Sequence, residues 1–217
     1  MALSRRFPAT IAEIVEHEIV IKRSRFLTTV TPVASPEEAD AVVAAIRKRT
    51  WDAGHHCTAM ITGLLGDHAR SSDDGEPAGT AGAPMLDVLR RRGLTDVVAV
   101  VARYFGGVKL GAGGLVRAYS SAVSETLDSA ALVRREALRR VTIEVSHADA
   151  GRCENLLRER AAGFGATLGP TAYGAVVTLE LWVPDAELAR VADELAAASA
   201  GRIHPIAGEE RIVDVPL

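Results

Sequence analysis

The chain has 217 residues, 48% of them hydrophobic and 24% charged, with a formal net charge of −3, which is globular composition and excludes an extensively disordered chain. Residues 1–136 carry 17 basic and 16 acidic side chains (net +1), and residues 137–217 carry 8 and 12 (net −4), so neither segment is a bulk polyanion binder and any nucleic-acid contact has to use a local patch. The longest apolar run, residues 97–102, is too short to span a bilayer, and no apolar stretch follows Arg5 and Arg6 as a secretory leader requires; a cytoplasmic protein with no membrane partner is expected.

In chain order, residues 10–33 read as two strands carrying Ile11, Ile14, Ile19 to Ile21, Phe26 and Val30, with the basic cluster Lys22, Arg23 and Arg25 between them. A helix starts at Ser35, the N-cap candidate; Pro36 suits the first helical position and Glu38 completes a capping box. Ala39, Val42, Val43 and Ile46 form its apolar face, and Arg47, Lys48 and Arg49 suit the negative end of its dipole. Residues 56–65 read as a strand, and residues 66–83 as a polar, glycine-rich loop. Pro84 opens a short helix with Met85, Leu86 and Leu89 inward, closed by Gly93. Residues 96–104 form a continuous apolar strand, expected to be covered on both faces. A second glycine-rich loop, FGGVKLGAGG, leads into a helix from about Gly114 with the stripe Leu115, Tyr119, Ala122, Val123 and Leu127.

Residues 134–137 read as a linker, which divides the chain into domains 1–136 and 137–217. The second shows strand 139–146, helix 148–161, strand 166–172, strand 175–183, helix 185–198 and strand 202–214. That β-α-β-β-α-β order is ferredoxin-like, so the fold class expected is α+β.

Eleven of the nineteen glycines fall between Gly63 and Gly114, a clustering that points to two loops with unusual backbone angles or close approaches. One loop places Asp73, Asp74 and Glu76 around Gly75. The other places Arg103, Lys109 and Arg117 around a glycine run that includes Gly113 and Gly114, where amides at a helix N-terminus suit an anion. The order of KLGAGGL is not that of a Walker A loop, because Lys109 precedes the glycines. The three carboxylates could hold a divalent cation, cap the helix near Pro84, or pair with Arg103 or Arg117; no companion ligand is evident, which favours the ion pair over metal. His55 and Cys57 share one strand face while His56 faces the other, two ligands where a structural zinc site needs four. Cys57 therefore reads as core, Trp51 and Trp182 as packing residues, and Cys57 and Cys153 as reduced thiols. No nucleophile–base set and no cofactor motif is legible.

The run SSDDGEPAGTAGAPMLDVL, followed by DVVAVVARYFGGVKLGAGGLVRAYSSAV, resembles the signature of the YigZ/IMPACT family, and weaker agreement extends from Lys22-Arg23-Ser24-Arg25-Phe26 through His55-His56-Cys57. The resemblance implies an N-terminal α/β domain similar to the second domain of ribosomal protein S five. It also implies a C-terminal ferredoxin-like domain similar to the last domain of elongation factor G, as in the bacterial branch. Eukaryotic IMPACT proteins act in translational control through a further N-terminal module not matched here. Family resemblance and fold analogy thus point to a translation-linked regulatory protein that engages RNA or the ribosome through the face formed by loops 66–83 and 105–114, without a cofactor. The alternatives are an enzyme acting on a phosphorylated small molecule through Asp73, Asp74 and Glu76, and a module that binds a protein partner in translation control.

Overall fold

The computed structural model describes residues 7–216 and shows a mixed α/β protein of two compact units, one running up to Arg135 and the other spanning Glu136–Asp214. Among the described residues no helix is long and apolar enough to cross a membrane. Cys57 and Cys153 are both unpaired and buried.

The first unit holds β1 (Thr10–Ile11), β2 (Val15–Ile21), β3 (Ser24–Pro32), α1 (Pro36–Arg49), β4 (His55–Thr62), β5 (His68–Ser72), α2 (Gly82–Arg91), β6 (Val97–Tyr104) and α3 (Ala112–Asp128). Its sheet has the order β2-β3-β6-β4-β5, and every pairing is antiparallel. Strand β6 lies at the centre and is buried on both faces. Val97, Ala99 and Val101 join the core built by Met85, Leu89, Leu115, Tyr119 and Val123, while Val98 and Val100 pack with Ala39 and Ile46 of α1. A strand covered on both sides has to be apolar at every position, which is why its sequence shows no alternation.

Local signals account for the helix ends. Ser35 Oγ accepts the Glu38 N–H at 3.3 Å, and the Glu38 carboxylate accepts the Ala34 N–H at 2.7 Å, one residue earlier than a standard capping box. Helix α2 closes at Gly93, whose φ of +64° lets the Leu94 N–H reach Leu89 O at 3.1 Å and its own N–H reach Arg90 O at 3.0 Å. It begins at Gly82 rather than Pro84; a proline in the first turn is tolerated because the N–H it lacks has no intrahelical acceptor there.

Segment 66–83, expected to be loop throughout, contains β5, which pairs with β4 from Thr58↔Ser72 to Thr62↔His68. All five of its residues are exposed, so this edge strand carries none of the apolar alternation by which a strand is read. The expected linker 134–137 is likewise strand, inside β7 (Leu132–Val145). Leu132 and Val133 pair with β1, and the Arg135 guanidinium meets Asp96 at 2.6 Å, so the division between the two units falls inside a strand rather than in an irregular linker.

Beyond β7 the second unit contains α4 (His147–Arg160), β8 (Thr167–Leu168), β9 (Ala172–Tyr173), β10 (Val177–Val183), α5 (Leu188–Ser199) and β11 (Ile206–Pro216). Strand β10 lies between β7 and β8, and β11 joins the other side of β7, which is the 4-1-3-2 order of a ferredoxin-like sheet. Val141, Ile143, Leu179 and Leu181 face Cys153, Leu157, Val191 and Leu195 of the two helices. The strands read at 166–172 and 202–214 are shorter than expected. Ala200 and Gly201 both turn through positive φ, and Ile203 drops into the core before β11 begins.

Candidate nucleic-acid interface

Antiparallel pairing decides which segments meet. Ile21 pairs with Ser24, Arg25 with Tyr104, His55 with Arg103 and Thr58 with Ser72. The ends of β2, β5 and β6 and the starts of β3 and β4 therefore share one end of the sheet. From that end emerge the turn Lys22–Arg23, the segment before His55, the loop after Ser72 and the loop after Tyr104. Both glycine-rich loops are thereby brought together.

The acidic loop is turned inward. The Asp73 carboxylate accepts N–H groups from Gly79 (2.8 Å), Ala81 (3.0 Å) and Gly82 (2.8 Å), which ties the loop to the first residues of α2. Burial raises the pKa of Asp73, but these three amides outweigh it and hold the carboxyl below the usual range. Asp74 accepts the His56 N–H at 2.6 Å and the Arg47 guanidinium at 2.7 Å, while its carbonyl meets His55 Nδ1 at 2.8 Å. Burial again opposes and these partners prevail, so its pKa is also lowered. Among the described residues no three His, Cys, Asp or Glu side chains converge as metal ligands.

Glu76 and Arg103 form a buried pair, with side chains 3% and 7% exposed and Oε1 to Nη1 at 2.5 Å. The same Oε1 accepts the Tyr119 hydroxyl at 2.7 Å, and the Tyr119 ring meets Phe26 edge-on at 5.2 Å. Arg103 Nη2 lies 3.4 Å from Ser24 Oγ, and its Nε is buried without a partner. Arg103, expected among the anion-binding residues, is thus an internal cation joining the two loops. The ion pair expected between the acidic loop and Arg103 or Arg117 is present, with Glu76 and Arg103 as its members. Cys57 is core as expected: its thiol donates to Asp73 O at 3.0 Å, and burial pushes its pKa up to about 12.

The outward groups are cationic and aromatic, with the exposed carboxylate of Asp52 beside Tyr104. Lys22, Arg23, Lys109 and Arg117 are exposed, and none has an acidic partner among the described residues. Gly111 is the N-cap of α3 and supplies no side-chain cap to the turn that contains Gly113 and Gly114, and the Arg117 guanidinium folds back toward Gly113. Arg25 is bound by Glu18 at 2.8 Å and stacks 4.9 Å above the Tyr104 ring, whose hydroxyl donates to Asp52 at 3.3 Å. Phe105 is 60% exposed and Trp51 80%. Trp51, expected to pack, stands in solvent on the turn between α1 and β4. Sequence reading assigned no site role to Lys22, Arg23, Trp51 or Phe105. The usable signal was two residues between Ile21 and Ser24, the length of a tight hairpin turn.

Comparison with known proteins places these features in a family. The Impact N-terminal domain model matches residues 22–127, and the model of a domain of unknown function (DUF1949) matches residues 143–202. The chain is similar to the IMPACT family member YigZ of Escherichia coli, with 37% identity over 94% of this chain and 97% of that one. It is 47% identical to the IMPACT family member YvyE of Bacillus subtilis over 69% of each chain. A crystal structure of a hypothetical protein, 35% identical, superposes with a TM-score of 0.59 over 95% of this chain and 100% of that one.

Proposed function

The chain belongs to the IMPACT family, a family linked generally to translation regulation, and from that premise we propose that it is a regulatory protein that binds RNA, ribosomal RNA included, through the open end of its N-terminal sheet. The observation that carries this reading is the sorting of charge at that end. Asp73, Asp74 and Glu76 are all engaged by internal donors, whereas Lys22, Arg23, Lys109 and Arg117 are exposed and have no acidic partner among the described residues. Phe105 is exposed next to Gly106, which abuts the Lys22–Arg23 turn, and Trp51 is exposed at the same end of the sheet; cations with aromatic faces suit a nucleic-acid backbone and unpaired bases. The enzyme alternative needs Asp73, Asp74 and Glu76 free to act on a substrate, and the loop is built on their being occupied.

Sedimentation with ribosomes across a salt series tests the proposal. Wild-type protein is expected to co-sediment at low salt and to be released as salt rises. Lys109→Ala with Arg117→Ala weakens binding and flattens the dependence of log K on log salt by about 1–2 units, at roughly 0.7 per single-strand phosphate. Absence of wild-type binding at low salt overturns the proposal.

A further inference from the structure

Strands β2 and β3 are joined by two residues only, Lys22 and Arg23, because Ile21 pairs directly with Ser24. Both have positive φ, +46° and +66°. A two-residue hairpin loop with both residues left-handed is a type I′ turn, whose preferred occupants are Asn and Gly because a Cβ is disfavoured there. Here the two positions carry the longest cationic side chains available, both exposed. Among the described residues neither side chain has a hydrogen-bond or ion-pair partner. Backbone strain held by a segment that gains no internal contact from its side chains is a feature that clusters at binding sites.

The turn is also clamped from behind. A Cβ on Gly106 would lie 2.0 Å from the Arg23 carbonyl carbon and 2.4 Å from the Ser24 nitrogen, so the two backbones are in direct contact. The Gly106 N–H donates to Ser24 Oγ at 3.2 Å. Phe105, next in the chain and 60% exposed, is therefore fixed beside the turn, with the Arg103 guanidinium 5.8 Å from its ring centroid.

We infer that the Lys22–Arg23 turn and Phe105 form a composite subsite for single-stranded RNA, in which the two cations contact successive phosphates and the Phe105 ring stacks on an unpaired base. This rests on the reading of the sheet end as an RNA interface and names the form of RNA it takes. An exposed ring needs a base with a free face, which a duplex withholds, and two cations on a rigid turn suit a short stretch of backbone.

The decisive variant is Lys22→Asn with Arg23→Gly in the full chain, because it replaces the strained residues by those the turn prefers. It should raise the thermal midpoint by about 2–4 °C. The same variant should weaken binding of a labelled short oligouridine about 10-fold at low salt and reduce the salt slope by about 1.4, two phosphates at roughly 0.7 each. A substitution that stabilises the protein yet costs affinity is not the mark of a merely structural turn. Lys22→Gln with Arg23→Gln removes the charges while keeping side chains in place, and should lose affinity to the same extent. Phe105→Ala should weaken oligouridine binding at least 5-fold. Wild type that binds oligouridine while both turn variants bind it equally well overturns the subsite and leaves the wider interface to Lys109 and Arg117. Wild type that binds neither oligouridine nor ribosomes overturns both readings. Blunt duplex RNA bound as tightly as oligouridine, Phe105→Ala without effect, or polyglutamate competing as well as oligouridine each overturns the assignment to single strands.

Discussion

Replacing Arg103 by Ala should lower the free energy of unfolding by about 3–5 kcal/mol, the range for removing one partner of a buried ion pair. Glu76 would keep the Tyr119 hydroxyl, but its charge would remain almost fully enclosed, with a side chain only 3% exposed and no cation beside it. The cost arises from the stranded charge more than from the lost bond, which sets up a second arm. Replacing both partners, Arg103→Met with Glu76→Gln, removes the charges together and should recover a large part of the loss. Chemical denaturation of the three proteins measures this. A loss below about 1 kcal/mol for Arg103→Ala would mean the pair is solvated and does not join the loops.

Gly106→Ala should be the most damaging single methyl group in the N-terminal unit. The added carbon would lie 2.0 Å from the carbonyl carbon and 2.1 Å from the oxygen of Arg23, and the obstacle is backbone, which has no rotamer by which to move aside. A loss of about 2–4 kcal/mol is expected from overpacking together with separation of the loop from the hairpin turn. Gly107→Ala is the control. Its φ of +81° makes alanine strained, but nothing lies within 4 Å of the new carbon, so about 1–2 kcal/mol is expected. Equal losses for the two variants in thermal or denaturant unfolding would show that conformation, and not close approach, is what the glycine at 106 provides.

These two residues also mark where sequence reading stopped. Features set by near neighbours were legible: Ser35 caps α1 because Glu38 is three residues on, and the α3 stripe from Leu115 to Leu127 is buried as its spacing requires. Strand β6 was legible for the opposite reason, since burial on both faces leaves a continuous apolar run. Strand β5 was not, because an exposed edge strand imposes no pattern on its side chains. At the site, the two loops read as belonging together, and Arg103 stood both as an anion-binding candidate and as a partner for the acidic loop; the sheet register, which encloses it with Glu76, decides for the second. The turn Lys22–Arg23 was visible as a basic cluster, while its strain is a property of φ that no residue type declares.

Photo-cross-linking of ribosomes to the full-length protein, with the modified peptides mapped by mass spectrometry, tests the central claim most directly. Cross-links to RNA are expected in peptides that carry Trp51, Tyr104 and Phe105, the aromatic groups at the open end of the sheet, and should disappear as salt is raised. Cross-links confined to residues 136–214, or persisting unchanged in a variant that lacks Lys22, Arg23, Lys109 and Arg117, would contradict it.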